Sequence, residues 1–211
     1  DAFMHMCSTM GLGGFAAYDA SFGAFGSPLI EAVAVFFMLL AGVNFSLYFL
    51  VWKKRSLRPL WRDLEARVYL RLMLGSVAAV ALFLSVHGVY PTFAESLRHA
   101  AFNVVSIATT TGFATVDYAQ WPIFAPVFML FLCSFATCAG STGGGIKLIR
   151  SLLLHKQAQR ELTRILHPRA VVPVTLGGTV VPNQVLFSVL AFMLVYGSTM
   201  VVVTMLLLFS G

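Results

Sequence analysis

Thr109-Thr110-Thr111-Gly112-Phe113-Ala114 (109–114), followed by Asp117, repeats a pattern that the chain has already used once. Gly14-Phe15-Ala16 with Asp19 returns 98 residues later as Gly112-Phe113-Ala114 with Asp117. Pro28 maps onto Pro126, and Ala41-Gly42 onto Ala139-Gly140, at the same offset. A period longer than a solenoid unit and shorter than a large domain indicates duplicated membrane modules. In each copy a Gly-containing polar loop stands directly before a long apolar segment. That order suits a loop that dips into a membrane and lines a pore.

The residues around the two loops are apolar. Of 211 residues, 59% are hydrophobic and 10% charged, against about 25% charged in a typical soluble domain. A soluble fold could not hide so much apolar surface, so the bilayer is the expected solvent and lipid the expected surface partner. The net charge is +6, and all the Lys and Arg residues except Arg98 lie in two segments, 53–71 and 147–169. Such clustering beside apolar spans is the positive-inside pattern. It places those segments in the cytoplasm and Asp19, Glu95 and Asp117 outside. A nucleic-acid partner is not expected, because basic residues interleaved with aromatics on a soluble face are missing. Cys7, Cys133 and Cys138 lack metal-ligand spacing and read as small buried hydrophobes. The opening Asp1-Ala2-Phe3-Met4-His5 reads as the middle of a helix, so a fragment is expected.

Residues 28–52 predict a first span. At about 1.5 Å per residue this length crosses a ~30 Å hydrocarbon core, and Lys53-Lys54-Arg55 stops it on the cytoplasmic side. Residues 56–67 read as a cytoplasmic connector, and 68–90 as a second span ended by Pro91. Thr92-Phe93-Ala94-Glu95 has the form of a capping box. The helix it opens runs to about Ala108, too short and too polar at Asn103 and Ser106 for a full span. Three β-branched threonines and a glycine then halt it, and the chain climbs back to Trp121-Pro122. Residues 123–146 predict a third span, broken in its inner half by Gly140-Ser141-Thr142-Gly143-Gly144-Gly145. Lys147 and Arg150 read as topology anchors. A connector follows over 151–183, its 170–183 part a linker, and a fourth span closes the chain from 184. Asn44, mid-span, reads as a helix-to-helix hydrogen-bonding residue.

The predicted fold class is therefore an all-α polytopic membrane protein of repeated helix–half-helix–loop–helix modules. Its divisions are 1–55, 56–67, 68–150, 151–183 and 184–211. Backbone carbonyls at membrane depth survive only where they are buried in protein or line a wet cavity. There they can replace the water shell of a cation, and threonine hydroxyls can add oxygen ligands. The half-helix 93–108 aims its C-terminal end, which carries partial negative charge, at the bilayer centre. Neither loop contains Lys or Arg. A monovalent-cation path fits these features better than an anion path.

The segments His99-Ala100-Ala101-Phe102-Asn103-Val104-Val105-Ser106 and Thr109-Thr110-Thr111-Gly112-Phe113 resemble the third pore loop of the TrkH/KtrB potassium transporter family. Cys138-Ala139-Gly140-Ser141-Thr142-Gly143-Gly144-Gly145-Ile146-Lys147 resembles that family's interrupted inner helix. His167 to Val174 resembles the connector after it, and Ala41-Gly42-Val43-Asn44-Phe45-Ser46 the second repeat's inner helix. The likeness covers nearly the whole chain and is nearest to the TrkH branch. It implies the second of four pore repeats from its pore helix onward, all of the third, and the first helix of the fourth. By resemblance, Gly11, Leu12, Gly13 and Gly14, with Thr109, Thr110, Thr111 and Gly112, supply the filter for K⁺. Either Gly13 or Gly14 could be the partner of Gly112. Gly140, Ser141, Thr142, Gly143, Gly144 and Gly145 would form the gate. The family further implies K⁺ uptake across the bacterial inner membrane, a homodimer, and a cytosolic nucleotide-binding ring of the TrkA type.

Other readings are weaker. Gly140 to Gly145 with Lys147 misses the GxxxxGK[ST] phosphate loop by one residue, and no strand precedes it. An ion-coupled secondary transporter of broken helices usually carries inverted repeats, whereas these two copies run the same way. A non-transporting membrane subunit remains a third reading. With no carboxylate pair, Ser/His pair or metal cluster in view, no enzyme is expected, and no covalent cofactor, only K⁺ as transported ligand.

Overall fold

The computed structural model describes residues 1–210. It forms two compact units, Asp1–Leu148 and the chain from Ile149 on.

In the first unit, helix α1 (Ala2–Gly11) is the first half-helix. A 3-10 turn at Ser21–Phe25 leads to α2 (Pro28–Ala41), which starts with proline at the position where a missing N–H costs nothing. The predicted continuous span over 28–52 is not found. It is split into α2 and α3 (Phe45–Lys54), bent by 90°. Asn44 lies at the break, and the hydrogen bond of its side chain is to its own helix, not to another. Its side chain caps α3 by accepting from Ser46 N at 2.9 Å.

After the short helix α4 (Arg58–Arg62), α5 covers Leu64–Val86 rather than 68–90. Asp63 starts it early by accepting from Ala66 N at 2.8 Å. Gly88, at φ 63°, stops it before Pro91 is reached. Helix α6 (Phe93–Ala108) is the second half-helix, and Thr92 caps it by accepting from Glu95 N. It packs against α2, α5 and α7 (Phe124–Cys133), which explains why eight of its residues are buried. The third span also breaks earlier than expected. Helix α7 ends at Cys133, and residues 134–147 are non-helical.

The core of this unit joins the two repeats. Leu12, Phe22, Ala34, Met38 and Ala41 pack with Phe102, Val105 and Phe113. The Phe22 ring lies 4.5 Å from Phe113 and 5.3 Å from Phe102.

Helix α8 (Leu148–Leu166) carries the basic segment. The linker that follows contains a small antiparallel hairpin, β1 (Thr175–Leu176) with β2 (Thr179–Val180). Its turn is made by Gly177 and Gly178, at φ 57° and 88°. Helix α9 (Asn183–Ser210) is 28 residues long and strongly apolar. In this unit Leu153, Val174, Leu186 and Val189 form the core. By length and composition, α5 and α9 can each cross a membrane, and the bent α2–α3 pair adds a third crossing if it is one span.

Candidate functional site

Both half-helices end in the same backbone sequence. Leu12 and Gly14 sit at φ 50° and 70°; Thr110 and Gly112, 98 positions on, sit at 64° and 92°. The residues between them, Gly13 and Thr111, are not left-handed. Neither loop therefore runs on as helix or as regular strand past its half-helix. A β-branched residue at positive φ is a true outlier, and such strain persists only where its surroundings impose it. The repeat therefore pairs Gly14, not Gly13, with Gly112.

The two loops touch backbone to backbone. A Cβ on Gly14 would collide with Thr111 O, whereas one on Gly112 would meet open space. Beyond the glycines the loops stay joined: Gly23 N donates to Ala114 O at 3.2 Å, and Ala114 N to Ser21 Oγ at 3.3 Å.

Polar residues of α6 hold the rising strand from behind. Ser106 Oγ donates to Phe113 O at 2.7 Å. Asn103 is fully buried; its Nδ2 donates to His99 O and Thr115 Oγ1, and its Oδ1 accepts from Thr115 N. Thr109 Oγ1 lies 2.7 Å from Thr111 Oγ1, and Thr109 also donates to Val105 O. These two threonine hydroxyls thus brace the loop.

The non-helical stretch 134–147 closes on both loops. Thr142 Oγ1 donates to Met10 O at 3.0 Å, and Gly144 N donates to Thr110 Oγ1 at 2.7 Å. Gly143 abuts Thr109, where a Cβ would come within 2.9 Å of Thr109 O. Thr137 Oγ1 donates to Gly144 O, and Ser141 Oγ to Cys138 O. Lys147 Nζ donates to Gly143 O and to Ser141 Oγ, so this residue folds back onto the loop instead of acting only as an anchor. Glu65 Oε1 accepts from Ala139 N at 2.8 Å. The two helix breaks are also knitted together: Cys138 N donates to Gly42 O at 3.0 Å, and Phe45 N to Gly140 O at 3.1 Å.

The chain's known relatives share this arrangement's sequence. The TrkH family model, described as a cation transport protein, matches residues 1–208. This chain belongs to the TrkH family. The Trk system potassium uptake protein TrkH of Salmonella typhimurium is 42% identical over the whole chain, and that of Escherichia coli K12 is 41% identical. TrkG of Escherichia coli K12 is 39% identical. The crystal structure of the potassium transporter TrkH from Vibrio parahaemolyticus superposes with a TM-score of 0.89 at 40% identity, covering 92% of this chain and 42% of that one. The chain spans 44% of the length of the Salmonella and Escherichia TrkH proteins. As a member of the TrkH family it is an all-α, multi-pass membrane protein.

The structure brings Gly11 to Gly14, Thr109 to Gly112 and Gly140 to Gly145 into one cluster. Glu65, Lys147, Asn103 and Ser106 were not among the residues expected in it. For the last two a signal existed, since they share a face of α6 at i, i+3 spacing. Glu65 offered none, since a carboxylate in the first turn of a helix is ordinarily read as a dipole partner.

Proposed function

We propose that this chain is part of a K⁺ uptake protein of the bacterial inner membrane, permeated passively or under the membrane potential. The carbonyls of residues 11–14 and 109–112 serve as selecting ligands, and residues 140–145 as the gate. The observation that carries this reading is the repeated left-handed pair at positions 12 and 14 and at 110 and 112. Two such loops from one chain, touching through Gly14 and Thr111, form one part of a ring of carbonyls. The open side of Gly112 is the seat for a following loop. Phe15, 76% exposed where its counterpart Phe113 is fully buried, fits a preceding one. Four loops around one axis account for both. No covalent cofactor enters the mechanism and no bond is made or broken. The ion loses part of its water shell, binds carbonyl oxygens, and leaves through the space that residues 140–145 close.

The working assembly is a homodimer, with a cytosolic nucleotide-binding ring of the TrkA type acting on the gate. The names of the relatives, which call them parts of a Trk system, support a multi-component complex.

The deciding experiment is Gly112→Ser in the full-length parent, with Rb⁺ uptake and K⁺/Na⁺ selectivity measured. A side chain at this left-handed position costs about 1–2 kcal/mol and projects into the seat of the following loop, so the filter should distort and selectivity fall. Uptake and selectivity both unchanged would falsify the filter assignment.

A further inference from the structure

In the second unit, α8 and residues 172–175 enclose a cleft of about 210 Å³ whose polar walls are Lys156, Gln159, Arg160 and Thr163. Lys156 Nζ donates to Thr175 O at 2.6 Å, which leaves two of its three donors unused. Arg160 Nη1 donates to Asn183 Oδ1 at 2.8 Å. Arg160 is 9% exposed, and its buried Nε makes no hydrogen bond. Glu161 Oε1 stands 3.5 Å from that nitrogen and 3.7 Å from Arg164 Nη1, so a single carboxylate is spread over two guanidinium groups. The nearby side chains Lys156, Arg160 and Arg164 outnumber it. A guanidinium this buried with unfilled donors is costly unless an acceptor completes it.

The bond to Asn183 places the cleft at one end of α9, the long apolar helix. The ends of such a helix lie at headgroup depth. Basic pockets at this level recognise phosphate-bearing headgroups. The volume falls below the roughly 300–1,000 Å³ of clefts that enclose drug-sized ligands, which fits a single phosphate group.

We propose that this cleft binds a phosphate-bearing group, presented by an anionic phospholipid or as the free anion, with Lys156 and Arg160 as its cations. The two unused donors of Lys156 and the Arg160 guanidinium take the phosphate oxygens, and Gln159 lines the approach. This goes beyond the reading of the chain as an ion path and does not depend on it.

The test is calorimetric titration of the full-length protein, stripped of lipid in nonionic detergent. The probes are dioctanoyl phosphatidylglycerol, inorganic phosphate, and uncharged dioctanoylglycerol as control. Saturable binding of phosphatidylglycerol is expected, weakened roughly tenfold by Lys156→Gln, the worth of one charge-assisted hydrogen bond. Lys156→Arg keeps the cation and should bind, so a folding defect cannot be mistaken for a lost site. Lys54→Gln, in the other basic segment, should leave binding unchanged. Phosphate binding with the same dependence on Lys156 assigns the free anion; binding of the lipid alone assigns the headgroup. Absence of saturable binding by both, or equal affinity in wild type and Lys156→Gln, overturns the proposal. Because no ion flux is measured, its failure is separate from failure of the K⁺ reading.

Discussion

Glu31 and Arg98 form a bidentate ion pair, Oε2 accepting from Nε at 2.7 Å and Oε1 from Nη2 at 2.6 Å. It fastens the start of α2, in one repeat, to the first turns of α6, in the next. Planar, two-pronged contact of this kind fixes orientation as well as distance. The side chain of Glu31 is 5% exposed and that of Arg98 32%, so solvent screens one partner and hardly touches the other.

Arg98→Gln strands the buried Glu31 carboxylate. After allowance for the exposed arginine, a loss of about 1–2 kcal/mol is expected. Thermal melting in detergent should show Arg98→Gln less stable than wild type, with Glu31→Gln added to it recovering part of the loss. Identical melting of all three proteins would mean the pair holds nothing.

Gly14→Ala drives a methyl group into the Thr111 carbonyl at a left-handed position. Rb⁺ uptake by the full-length protein should fall at least tenfold, since the clash adds to a backbone cost of about 1–2 kcal/mol. Gly75→Ala is the matched control: this exposed position on α5 has open space, and alanine there favours the helix. Equal uptake by the two variants would argue against contact between the loops.

Thr110→Val keeps the shape of the side chain and removes the oxygen that accepts from Gly144 N. One lost hydrogen bond of about 1 kcal/mol raises the population of loops released from this contact roughly fivefold. Basal Rb⁺ leak without the regulatory ring should rise by a similar factor. A leak at the wild-type level would separate residues 140–145 from gating.

Glu65→Ala leaves the Ala139 N–H without its acceptor, at about 1–3 kcal/mol. Hydrogen exchange should quicken across residues 134–147 while α6 keeps its protection. Uniform quickening would point instead to general destabilisation.

The sequence carried α6 almost residue for residue, because a local signal marks each end: Thr92 caps the start, and the threonines with Gly112 stop the helix. The nearness of Gly140 to Gly145 to Thr109 to Gly112 was implied by the family resemblance and by no local signal of that kind. The break at Gly42 was not foreseen, although Ala41-Gly42 had been matched to Ala139-Gly140. Local apolarity favoured one long helix there, while the acceptor and donor that fill the break, Gly140 O and Cys138 N, lie far along the chain. The hairpin at Thr175–Val180 escaped notice for a different reason. Its strands are two residues each, too short for alternation to register. The role of Lys147 was hidden because a cation after an apolar run satisfies the positive-inside pattern whether or not it also folds back.

The knit between the two helix breaks also sets an order of assembly. Gly42 O waits for Cys138 N, 96 residues later in the chain. At synthesis rates of roughly 5–20 residues per second, that interval is about 5–20 s. During it the bend between α2 and α3 lacks the partners that hold it open, and local apolarity favours one continuous helix whose own ladder satisfies both backbone groups. The first of the two repeats therefore takes its final shape only when the second arrives.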